Sequence, residues 1–499
     1  MLQDNIQTSL KTIYDYLELS AKKYPDKIVI YENNNSITYF DLFKSSKFTS
    51  YEIQKLTSPG QTVSLLCENS IDFVIIYFGI LMAGCTVHII PPNSSNNQII
   101  LQVKKVKPEI IFHSEMLKNK INTLKNTQYP ISSFIKNSIQ NKINTDEIPN
   151  KFYPVSSIIF TSGTTGNPKG VKIKHENIIF VINNIIKILK ICSDDVEVNP
   201  LQLSHSFGLG CLHTIIAQGA TTVIFQNATN LKKILSEINN KNATGFVAVP
   251  ATFQKILEQH KQKFSEVGKN LTYLLTNSAP MPKNYIEEII DLFPISKFFT
   301  YYGLTEASRS TFLLFNENLS KIESVGKPAP FVEIKIIDQN GKNLLAGEIG
   351  QVMIKGPNVV DSYVLSIEKN SKIKNGWIET GDLGFFDNDG YLYLRGRKDD
   401  LINVSGEKIS PIEVELVIRQ LNGINDVAVI GIPDKTFGEI PIAYVSTNNE
   451  IKLDTILVHC IKILERYKIP QKFIFLDSLP KNEFGKTEKN KLRTLYLKK

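Results

Sequence analysis

The chain has 499 residues, of which 42% are hydrophobic and 21% are charged, and its formal net charge is +8. These proportions are those of an ordinary globular protein, and they exclude a collagen, a coiled-coil rod and a mostly disordered chain. The chain contains no block of like charges of the kind that marks a nucleic-acid surface. Its mild positive charge favours an anionic ligand such as a nucleotide.

The cysteines and the apolar segments favour a reducing compartment. Five cysteines are scattered along the chain, and none has the spacing of a zinc site. The first residues lack the basic and apolar regions of a signal peptide. The most apolar stretch, residues 73–85, has about 13 residues and is too short to span a bilayer. We therefore expect a soluble cytoplasmic protein with no membrane span and no nucleic-acid partner.

The first part of the chain predicts alternating helices and strands, and such a pattern indicates a parallel sheet covered on both faces. An amphipathic helix is expected from about residue 10, with Thr8 or Ser9 as its cap. Apolar runs then alternate with helical patterns at residues 62–66, 71–83, 86–90, 99–106 and 109–113. Residues 114–152 are polar and rich in Asn and Lys, so we expect variable surface structure there.

The rest of the chain predicts a second α/β region over residues 155–315, a β-rich piece and a small separate domain. The β-rich piece has strand patterns at residues 332–337 and 351–355. In the small domain, the sequence Ser410-Pro411-Ile412-Glu413 has the pattern of a capping box that opens a helix. Later elements are strands at 427–432 and 441–446 and a helix with one apolar face, formed by Ile456, Leu457, Cys460, Ile461 and Leu464.

These patterns predict an α/β fold in two parts. A large N-terminal domain would span residues 1–395 and contain layered α/β subdomains plus a β-rich subdomain. A small mobile α+β domain would follow over residues 396–499.

A loop of hydroxyls and glycines with one lysine is the most informative motif. It reads Thr161-Ser162-Gly163-Thr164-Thr165-Gly166-Asn167-Pro168-Lys169-Gly170 and lies between an apolar run and a helical pattern. Glycines let the backbone approach an anion closely, while hydroxyls and backbone N–H groups donate to phosphate oxygens. The spacing is not that of a Walker A loop. The sequence therefore predicts another kind of phosphate-binding loop between a strand and a helix.

This loop resembles the phosphate-binding signature of the adenylate-forming superfamily, which includes acyl-CoA synthetases, adenylation domains and beetle luciferases. Five further motifs of that family follow in order and cover essentially the whole chain. They are Leu-Ser-His-Ser-Phe-Gly at 203–208, Tyr-Tyr-Gly-Leu-Thr-Glu at 301–306, Trp-Ile-Glu-Thr-Gly-Asp at 377–382, Gly-Arg-Lys-Asp-Asp at 396–400 and Pro-Lys-Asn-Glu-Phe-Gly-Lys at 480–486.

The resemblance implies that ATP and Mg²⁺ bind at the loop and at the Thr-Glu motif. The phosphates would contact Thr161, Ser162, Gly163, Thr164, Thr165 and Gly166. Lys169 would lie over the β- and γ-phosphates, and Thr305 would contact phosphate or a metal-bound water. Glu306, together with Thr161, would hold Mg²⁺. Taken alone, each threonine could be a capping residue and Lys169 a solvated side chain.

The resemblance also implies how the nucleoside is bound. Tyr302 matches an aromatic residue that stacks on adenine, and the neighbouring backbone would come from Ser278, Ala279 and Pro280. Asp382 matches a carboxylate that accepts from both ribose hydroxyls, and Arg397 matches an arginine that meets the ribose. Taken alone, Tyr302 could be a core aromatic residue and Arg397 a surface ion-pair residue.

Three residues beyond position 396 match the moving part of the family. Lys486 matches a lysine that binds the carboxylate and the bridging phosphate oxygen during adenylation. Asp399 matches the hinge, although the neighbouring Asp400 leaves the register open. Gly406 would line the tunnel for the thiol, where a side chain would block its approach.

The resemblance implies an acid pocket with His205, Phe207, Val249 and Gly303. His205 matches a family histidine at the junction of this pocket and the thiol tunnel and is a candidate catalytic residue, together with Lys486, Thr305 and Glu306; taken alone, it could be a partly buried histidine with its hydrogen bonds satisfied. Amino-acid-activating relatives carry an aspartate in the motif around His205, and this chain has no carboxylate there. A buried ammonium group without a partner is costly, so we expect an acid that lacks an α-amino group. Acetate-type relatives fill the pocket with a tryptophan where this chain has Gly303, so we expect an acyl or aryl acid larger than acetate.

The resemblance predicts an AMP-forming acid–thiol ligase that forms an acyl-adenylate with ATP and Mg²⁺ and then transfers the acyl group to CoA. A second possibility is a stand-alone adenylation enzyme that loads the phosphopantetheine of a carrier protein. A third is an inactive nucleotide-binding regulatory protein, although the groups needed for ligation are retained together. The sequence does not name the acid.

Overall fold

A computed structural model describes residues 10–140, 144–161, 168–226, 229–365, 372–447, 451–481 and 487–497. The chain is mixed α/β, with a large N-terminal part that contains three sheets and a small C-terminal part that contains one. This architecture confirms the expected fold class.

The strands of the described ranges follow in chain order. They are β1 (Ile28–Glu32), β2 (Asn35–Thr38), β3 (Thr62–Leu66), β4 (Thr86–Ile90), β5 (Ile110–His113), β6 (Thr127–Pro130), β7 (Val155–Thr161), β8 (Lys169–Lys174), β9 (Val196–Asn199), β10 (Thr221–Ile224), β11 (Gly245–Ala248), β12 (Tyr273–Thr276), β13 (Lys297–Leu304), β14 (Ala307–Leu314), β15 (Lys327–Pro328), β16 (Glu333–Ile337), β17 (Gly350–Lys355), β18 (Ser362–Tyr363), β19 (Ile373–Lys374), β20 (Trp377–Phe386), β21 (Leu392–Arg397), β22 (Ile402–Val404), β23 (Glu407–Ile409), β24 (Ile424–Asp434), β25 (Gly438–Thr447) and β26 (Lys472–Phe475).

The α-helices lie between and around these strands. They are α1 (Ile13–Lys23), α2 (Tyr39–Leu56), α3 (Ile71–Met82), α4 (Asn96–Val106), α5 (Ile131–Ile139), α6 (His175–Leu189), α7 (Ser206–Gln218), α8 (Leu231–Asn240), α9 (Pro250–Val267), α10 (Lys283–Leu292), α11 (Pro411–Arg419), α12 (Leu453–Ile463) and α13 (Lys489–Leu497).

Two large mixed sheets form the N-terminal part. One has the strand order β18-β8-β7-β4-β3-β5-β6, and the other has the order β15-β14-β13-β12-β11-β9-β10-β1-β2. Their central strands are parallel. Helix α3 is the most apolar helix, and its residues from Phe73 to Met82 are all buried. Residues of α1, α2, α3 and α7 share one core cluster with strands of both sheets, so this cluster holds the two sheets together.

Two smaller sheets complete the fold. The first is antiparallel, with the order β16-β17-β20-β19 and with β21 paired to β20. The second has the order β23-β22-β25-β24, and β26 runs parallel to β25. Its strands lie beyond residue 402 and pack in clusters formed by residues of the same part of the chain, such as Ile418, Val429 and Ile456. The short 3₁₀ turn Lys398–Asp400 connects the two sheets.

The structure corrects several local predictions in the large part. Residues 114–152 contain β6, which extends the parallel sheet beside β5, and helix α5. The first helix begins at Ile13 with Thr12 as its N-cap, and Asp15 completes a capping box. The expected caps Thr8 and Ser9 lie outside the described residues. The polar composition of residues 114–152 gave no clear pattern for this strand and helix, because each of them buries only a few apolar side chains.

Two predictions for the small part are also wrong. Ser410 precedes α11, but its hydroxyl donates to the carbonyl of Arg395 and makes no cap bond. Glu413 accepts instead from Lys468 at 2.7 Å, so no capping box forms. In α12, Ile456 and Cys460 are buried, but Ile461 is 63% exposed and lies off the apolar face.

The described residues include no helix that is both long and apolar enough to cross a membrane. The five cysteines are free thiols.

Candidate nucleotide and acid site

The described ends of the phosphate-loop motif lie on two paired antiparallel strands. Strand β7 ends at Thr161, and β8 begins at Lys169, directly opposite Thr161 in the antiparallel register. The sequence predicted a helix after this loop, but β8 comes first and helix α6 follows it. The loop residues Ser162, Gly163, Thr164, Thr165 and Gly166 lie outside the described residues. Thr161 and Lys169 therefore mark the two ends of the candidate phosphate loop.

The Thr-Glu motif forms a tight turn. Leu304 pairs with Ala307, so Thr305 and Glu306 are the two residues that connect β13 to β14. Gly303 lies at an irregularity in this pairing, and a Cβ atom there would lie 2.4 Å from the backbone nitrogen of Arg309. Only glycine fits such an approach, so the turn itself requires Gly303.

Glu306 lies close to the two paired strands at the ends of the phosphate-loop motif. Its carboxylate accepts a hydrogen bond from Tyr363 at 3.3 Å, and Tyr363 on β18 pairs with β8. The ammonium of Lys169 is 5.8 Å from the centre of the Tyr363 ring. Burial raises the pKa of the Glu306 carboxyl. Tyr363 thus connects the predicted metal ligand to the predicted phosphate-binding lysine.

A second cluster joins three predicted nucleoside residues. Asp382 and Arg397 face each other on the paired strands β20 and β21, with 3.8 Å between Oδ1 and Nη1. The hydroxyl of Tyr302 donates to Asp382 Oδ2 at 2.5 Å. Tyr302 and Asp382 are each only 8% exposed. Burial, and then the charge of Asp382, raise the pKa of the Tyr302 hydroxyl, which therefore stays a donor.

The remaining predicted residues of the large part lie at the ends of elements. Residues Ser278, Ala279 and Pro280 follow the carboxyl end of β12 and are partly or fully exposed. His205 is the N-cap residue of α7, and Phe207 in its first turn packs edge-on against Tyr301, with 5.4 Å between ring centres. Val249 is the N-cap residue of α9.

The small part holds two of its three predicted residues within the described ranges. Asp399 lies in the 3₁₀ turn that follows β21. Gly406 has a φ of +95°, and a Cβ atom added there would have no neighbour within 4 Å. Lys486 lies outside the described residues.

Two site residues have no counterpart in the predicted set. Tyr363 belongs to a short strand outside every motif that the sequence shows, and no local signal marks it. Arg309 is 2% exposed and lies on β14, three residues after Glu306. A single charged residue in the otherwise apolar or hydroxyl-bearing run of β14 was the signal that could have found Arg309.

The chain was compared with models of known families. A model described as AMP-binding enzyme matches residues 17–364, and a model described as AMP-binding enzyme C-terminal domain matches residues 413–486. The chain belongs to the AMP-binding enzyme family.

The chain is similar to known CoA ligases over nearly its full length. It is 28% identical to the 2-succinylbenzoate–CoA ligase of Bacillus subtilis over 96% of this chain and 97% of that protein. It is 29% identical to the oxalate–CoA ligase of Arabidopsis thaliana over 98% and 99% of the two chains. The structure of O-succinylbenzoate coenzyme A synthetase from Bacillus subtilis, in complex with ATP and magnesium ion, has a TM-score of 0.85 and 28% identity, and the match covers 96% of this chain and 99% of that chain.

Membership of the AMP-binding enzyme family confirms the expected class, an AMP-forming acid–thiol ligase of the acyl-CoA synthetase type. The expected cofactors ATP, Mg²⁺ and CoA agree with the names of these relatives.

The residues of this AMP-binding enzyme fit a nucleotide. Arg397 Nε is buried and has no hydrogen-bond partner among the described residues, so it keeps a donor for a ligand. Gly381 has a φ of +79°, and a Cβ atom there would lie 3.0 Å from Arg397 Nη2. The absence of a side chain at Gly381 therefore leaves the guanidinium accessible from that side.

The residues also fit Mg²⁺ bound together with phosphates. Across the described ranges, no group of three or more His, Cys, Asp or Glu residues could hold a metal ion. Glu306 is thus a single carboxylate, and Mg²⁺ characteristically binds one or two carboxylates, waters and substrate phosphates. When bound, Mg²⁺ would neutralise negative charge on the phosphates.

Proposed function

We propose that the protein activates a carboxylic acid without an α-amino group and transfers it to CoA. In the first step a carboxylate oxygen bonds to the α-phosphorus of ATP, and the bond to pyrophosphate breaks. In the second step the CoA thiolate attacks the carbonyl carbon of the acyl-adenylate, and AMP leaves. The thiol proton passes to solvent.

One observation carries this proposal, namely the convergence of two clusters from distant parts of the chain. Tyr302, Asp382 and Arg397 form one cluster, and Tyr363 and Glu306 form the other. Tyr302 and Glu306 lie on one hairpin, separated by only three residues. A nucleoside at the first cluster therefore presents its phosphates toward the second.

In the proposed nucleoside site, Asp382 accepts from the ribose hydroxyls. Arg397 pairs with Asp382, and its Nε, which has no hydrogen-bond partner among the described residues, donates to the nucleotide. The adenine lies between Tyr302 and the backbone of residues 278–280. Because Tyr302 is largely buried, only one edge or face of its ring is available for the base.

In the proposed phosphate site, the loop from Thr161 to Lys169 surrounds the β- and γ-phosphates. Lys169 supplies positive charge, and Thr305 donates its hydroxyl. Glu306, with Thr161, holds Mg²⁺. Because burial makes Glu306 easier to protonate, the ionised carboxylate needs the cations of the site, and Lys372 and Arg397 already act on it in that direction.

In the proposed acid pocket, the walls come from the first turn of α7 and from the ends of neighbouring strands. His205, Phe207, Val249 and Gly303 are the wall residues that we propose. The acids in the names of the two relatives, 2-succinylbenzoate and oxalate, lack an α-amino group. The same names favour CoA over a carrier protein as the acceptor.

We further propose a boundary near residue 395 between the large domain and a mobile small domain. Asp399 acts as the hinge. In one orientation the small domain presents Lys486 to the carboxylate and the α-phosphate, and in the other it presents Gly406 to the thiol route. The separate core clusters beyond residue 402 support this division.

The test is exchange of labelled pyrophosphate into ATP with a panel of acids, followed by mass spectrometry of the thioester formed with CoA. We expect Mg²⁺-dependent exchange with acids that lack an α-amino group. Exchange with α-amino acids alone would contradict the substrate class. No exchange with any acid would indicate an inactive nucleotide-binding protein.

A further inference from the structure

Arg309 is a buried arginine whose donors are only partly used. Its Nη1 donates to the carbonyl of Ser206 at 3.2 Å and to the hydroxyl of Ser308 at 3.1 Å. Its Nη2 donates to the carbonyl of Phe207 at 3.1 Å and to the sulfur of Cys211 at 4.0 Å. Its Nε is buried and has no hydrogen-bond partner within the described part of the chain. These bonds fix the guanidinium against the first turn of α7 and leave one donor for a ligand.

The positive charge of Arg309 is not neutralised by direct contact with a carboxylate in the described ranges. No carboxylate there forms an ion pair with it. Glu197 acts on it only through space, and burial raises the pKa of the Glu197 carboxyl to about 8, which favours its neutral form. The guanidinium lies 4.8 Å from the centre of the Tyr301 ring, and that contact stabilises a cation without neutralising it. A buried charge without a counter-ion is costly, which points to an anion supplied from outside the chain.

The backbone around Arg309 is arranged so that the guanidinium fits. Arg309 has a φ of +53°, a conformation that is uncommon for a residue with a side chain. A Cβ atom on Gly210 would lie 2.6 Å from both terminal guanidinium nitrogens. Packing of this kind shows that the position of the charge is fixed by its surroundings.

Arg309 lines a narrow cavity of about 50 Å³ that also reaches the Thr-Glu turn. Thr305 lies in the lining, beside the proposed phosphate site, and the aliphatic wall includes Ile178, Ile182 and Leu209. Asn358 contributes a buried Oδ1 without a hydrogen-bond partner among the described residues. The lining therefore includes Arg309 and Thr305, and it combines aliphatic side chains with polar ones such as Asn177 and His213.

We propose that Arg309 determines substrate specificity by binding a second carboxylate on the acid, so that the substrate is a dicarboxylic acid. One carboxylate is activated beside Thr305, and the other pairs with the guanidinium. This inference rests on the proposed function, because it identifies the class of acid that the same site activates. A monocarboxylic acid of equal length would leave Arg309 buried and unpaired, whereas a dicarboxylic acid supplies the missing charge.

The experiment compares each dicarboxylic acid with its own monomethyl ester. The panel is malonate, succinate, glutarate, adipate and phthalate, and the readout is kcat/KM for pyrophosphate exchange. Breaking one partner of a buried charge pair lowers binding by a factor of about 30 or more. We therefore expect at least one dicarboxylic acid to be preferred over its ester by about 30-fold or more. Arg309→Met should abolish that preference, and Arg309→Lys should retain part of it.

A matched control and two further readouts separate the outcomes. Arg419→Met removes an arginine of the small part that pairs with Asp426 and should leave the preference unchanged. ATP binding by calorimetry and thermal melting show whether each variant is folded. Wild-type protein that prefers no dicarboxylic acid over its ester overturns the inference even if Arg309→Met does not fold. Equal loss on diacid and ester in Arg309→Met makes the residue structural and also overturns it. Exchange with monocarboxylic acids alone leaves the proposed function intact, whereas no exchange with any acid overturns both.

Discussion

The two arginines of the site, the partly exposed Arg397 and the buried Arg309, have different partners. Arg397 faces a carboxylate of the protein itself, since Asp382 lies directly across the β20–β21 pair. Arg309 is fixed by backbone carbonyls of α7 and forms no ion pair within the described part of the chain. One cation is therefore neutralised within the protein, and the other is not.

This difference indicates what each region binds. A carboxylate that is already paired can accept from neutral hydroxyl groups, which suits a ribose. An unpaired guanidinium held in place by packing suits an anion that arrives with the substrate. In the nucleotide region, Arg397 is paired with a carboxylate before the ligand binds. In the acid region, Arg309 gains such a partner only when the bound acid carries a second carboxylate.

The largest expected effect concerns a third cation, Lys486. If Arg309 and Arg397 serve the second carboxylate and the ribose, neither can replace a lysine at the reacting carboxylate. Removing one preorganised donor from a transition state typically costs about 10²–10³ in rate. Lys486→Ala should therefore lower acyl-adenylate formation by about that factor, and it should leave thioester formation from supplied acyl-adenylate largely intact.

Single-turnover measurement of both half-reactions checks this prediction. Lys491→Ala is the matched control, because Lys491 is an exposed lysine of the same segment that pairs only locally with Glu488. Equal losses in both half-reactions for Lys486→Ala would mean that this lysine is structural or that no change of orientation separates the two steps.

The next effect is expected from Asp382→Asn, which leaves Arg397, like Arg309, without a carboxylate partner. The substitution keeps the volume of the side chain but removes the charge that faces Arg397. Breaking a buried hydrogen-bonded charge pair costs about 2–5 kcal/mol, and the partial exposure of Arg397 reduces this cost, so kcat/KM for ATP should fall by about 10-fold. The dicarboxylic acid preference should not change, because Arg309 lies in the other region.

Steady-state kinetics with ATP as the varied substrate measure this effect. Asp387→Asn is a suitable control, since Asp387 pairs with Lys321 at 2.7 Å in a pair outside the site. A fall in the acid preference of Asp382→Asn as large as its fall in kcat/KM for ATP would show that the two regions are not independent.

The contrast between the two arginines also shows which parts of the site the sequence can predict. Asp382 and Arg397 belong to recurrent motifs, and their pairing follows from the strand register that the motifs impose. The parallel strands β3, β4 and β5 were predictable because each buried strand is a short apolar run. In each of these cases, residues close in sequence carry the information.

Arg309 and Tyr363 were not predictable for the opposite reason. The role of Arg309 depends on carbonyls of α7 about a hundred residues away, and Tyr363 reaches Glu306 through the pairing of β18 with β8. Strand β8 itself was missed because the pattern Lys169–Lys174 mixes lysines with only two apolar residues, which resembles a loop. Tertiary pairing, not local propensity, makes it a strand.

The third prediction concerns the protonation of Glu197, the carboxyl group that acts on Arg309 through space. Tyr273 donates a hydrogen bond to Glu197 at 2.9 Å. The charges of Arg309 and Asp195 act on the Glu197 carboxyl through space, and Cys211 lies close enough to interact with it. Its folded pKa of about 8 exceeds the usual carboxyl value of about 4.3. The unfolded chain loses this proton first as the pH rises, so folding stability falls between those two values and then levels off.

Glu197→Gln removes this titration and keeps an oxygen that accepts from Tyr273. The difference in melting temperature between Glu197→Gln and the wild type should therefore grow in favour of the variant from about pH 5 to about pH 8. Thermal melts in a series of buffers measure it, with Glu258→Gln as a control at an exposed carboxylate. A constant difference over this range would mean that Glu197 is already ionised near neutral pH.

The smallest effect is expected in the acid preference of the wild type above pH 8. Once Glu197 ionises, it supplies Arg309 with a counter-charge from within the protein, and the second carboxylate of the substrate gains less from the guanidinium. The ratio of kcat/KM for a dicarboxylic acid to that for its monomethyl ester should therefore decline by a few fold from about pH 7 to about pH 9. In Glu197→Gln the same ratio should stay level, because the amide cannot ionise. A parallel decline in the wild type and in Glu197→Gln would instead assign the pH dependence to another group. That group would then supply Arg309 with a counter-charge from within the chain, as Asp382 does for Arg397.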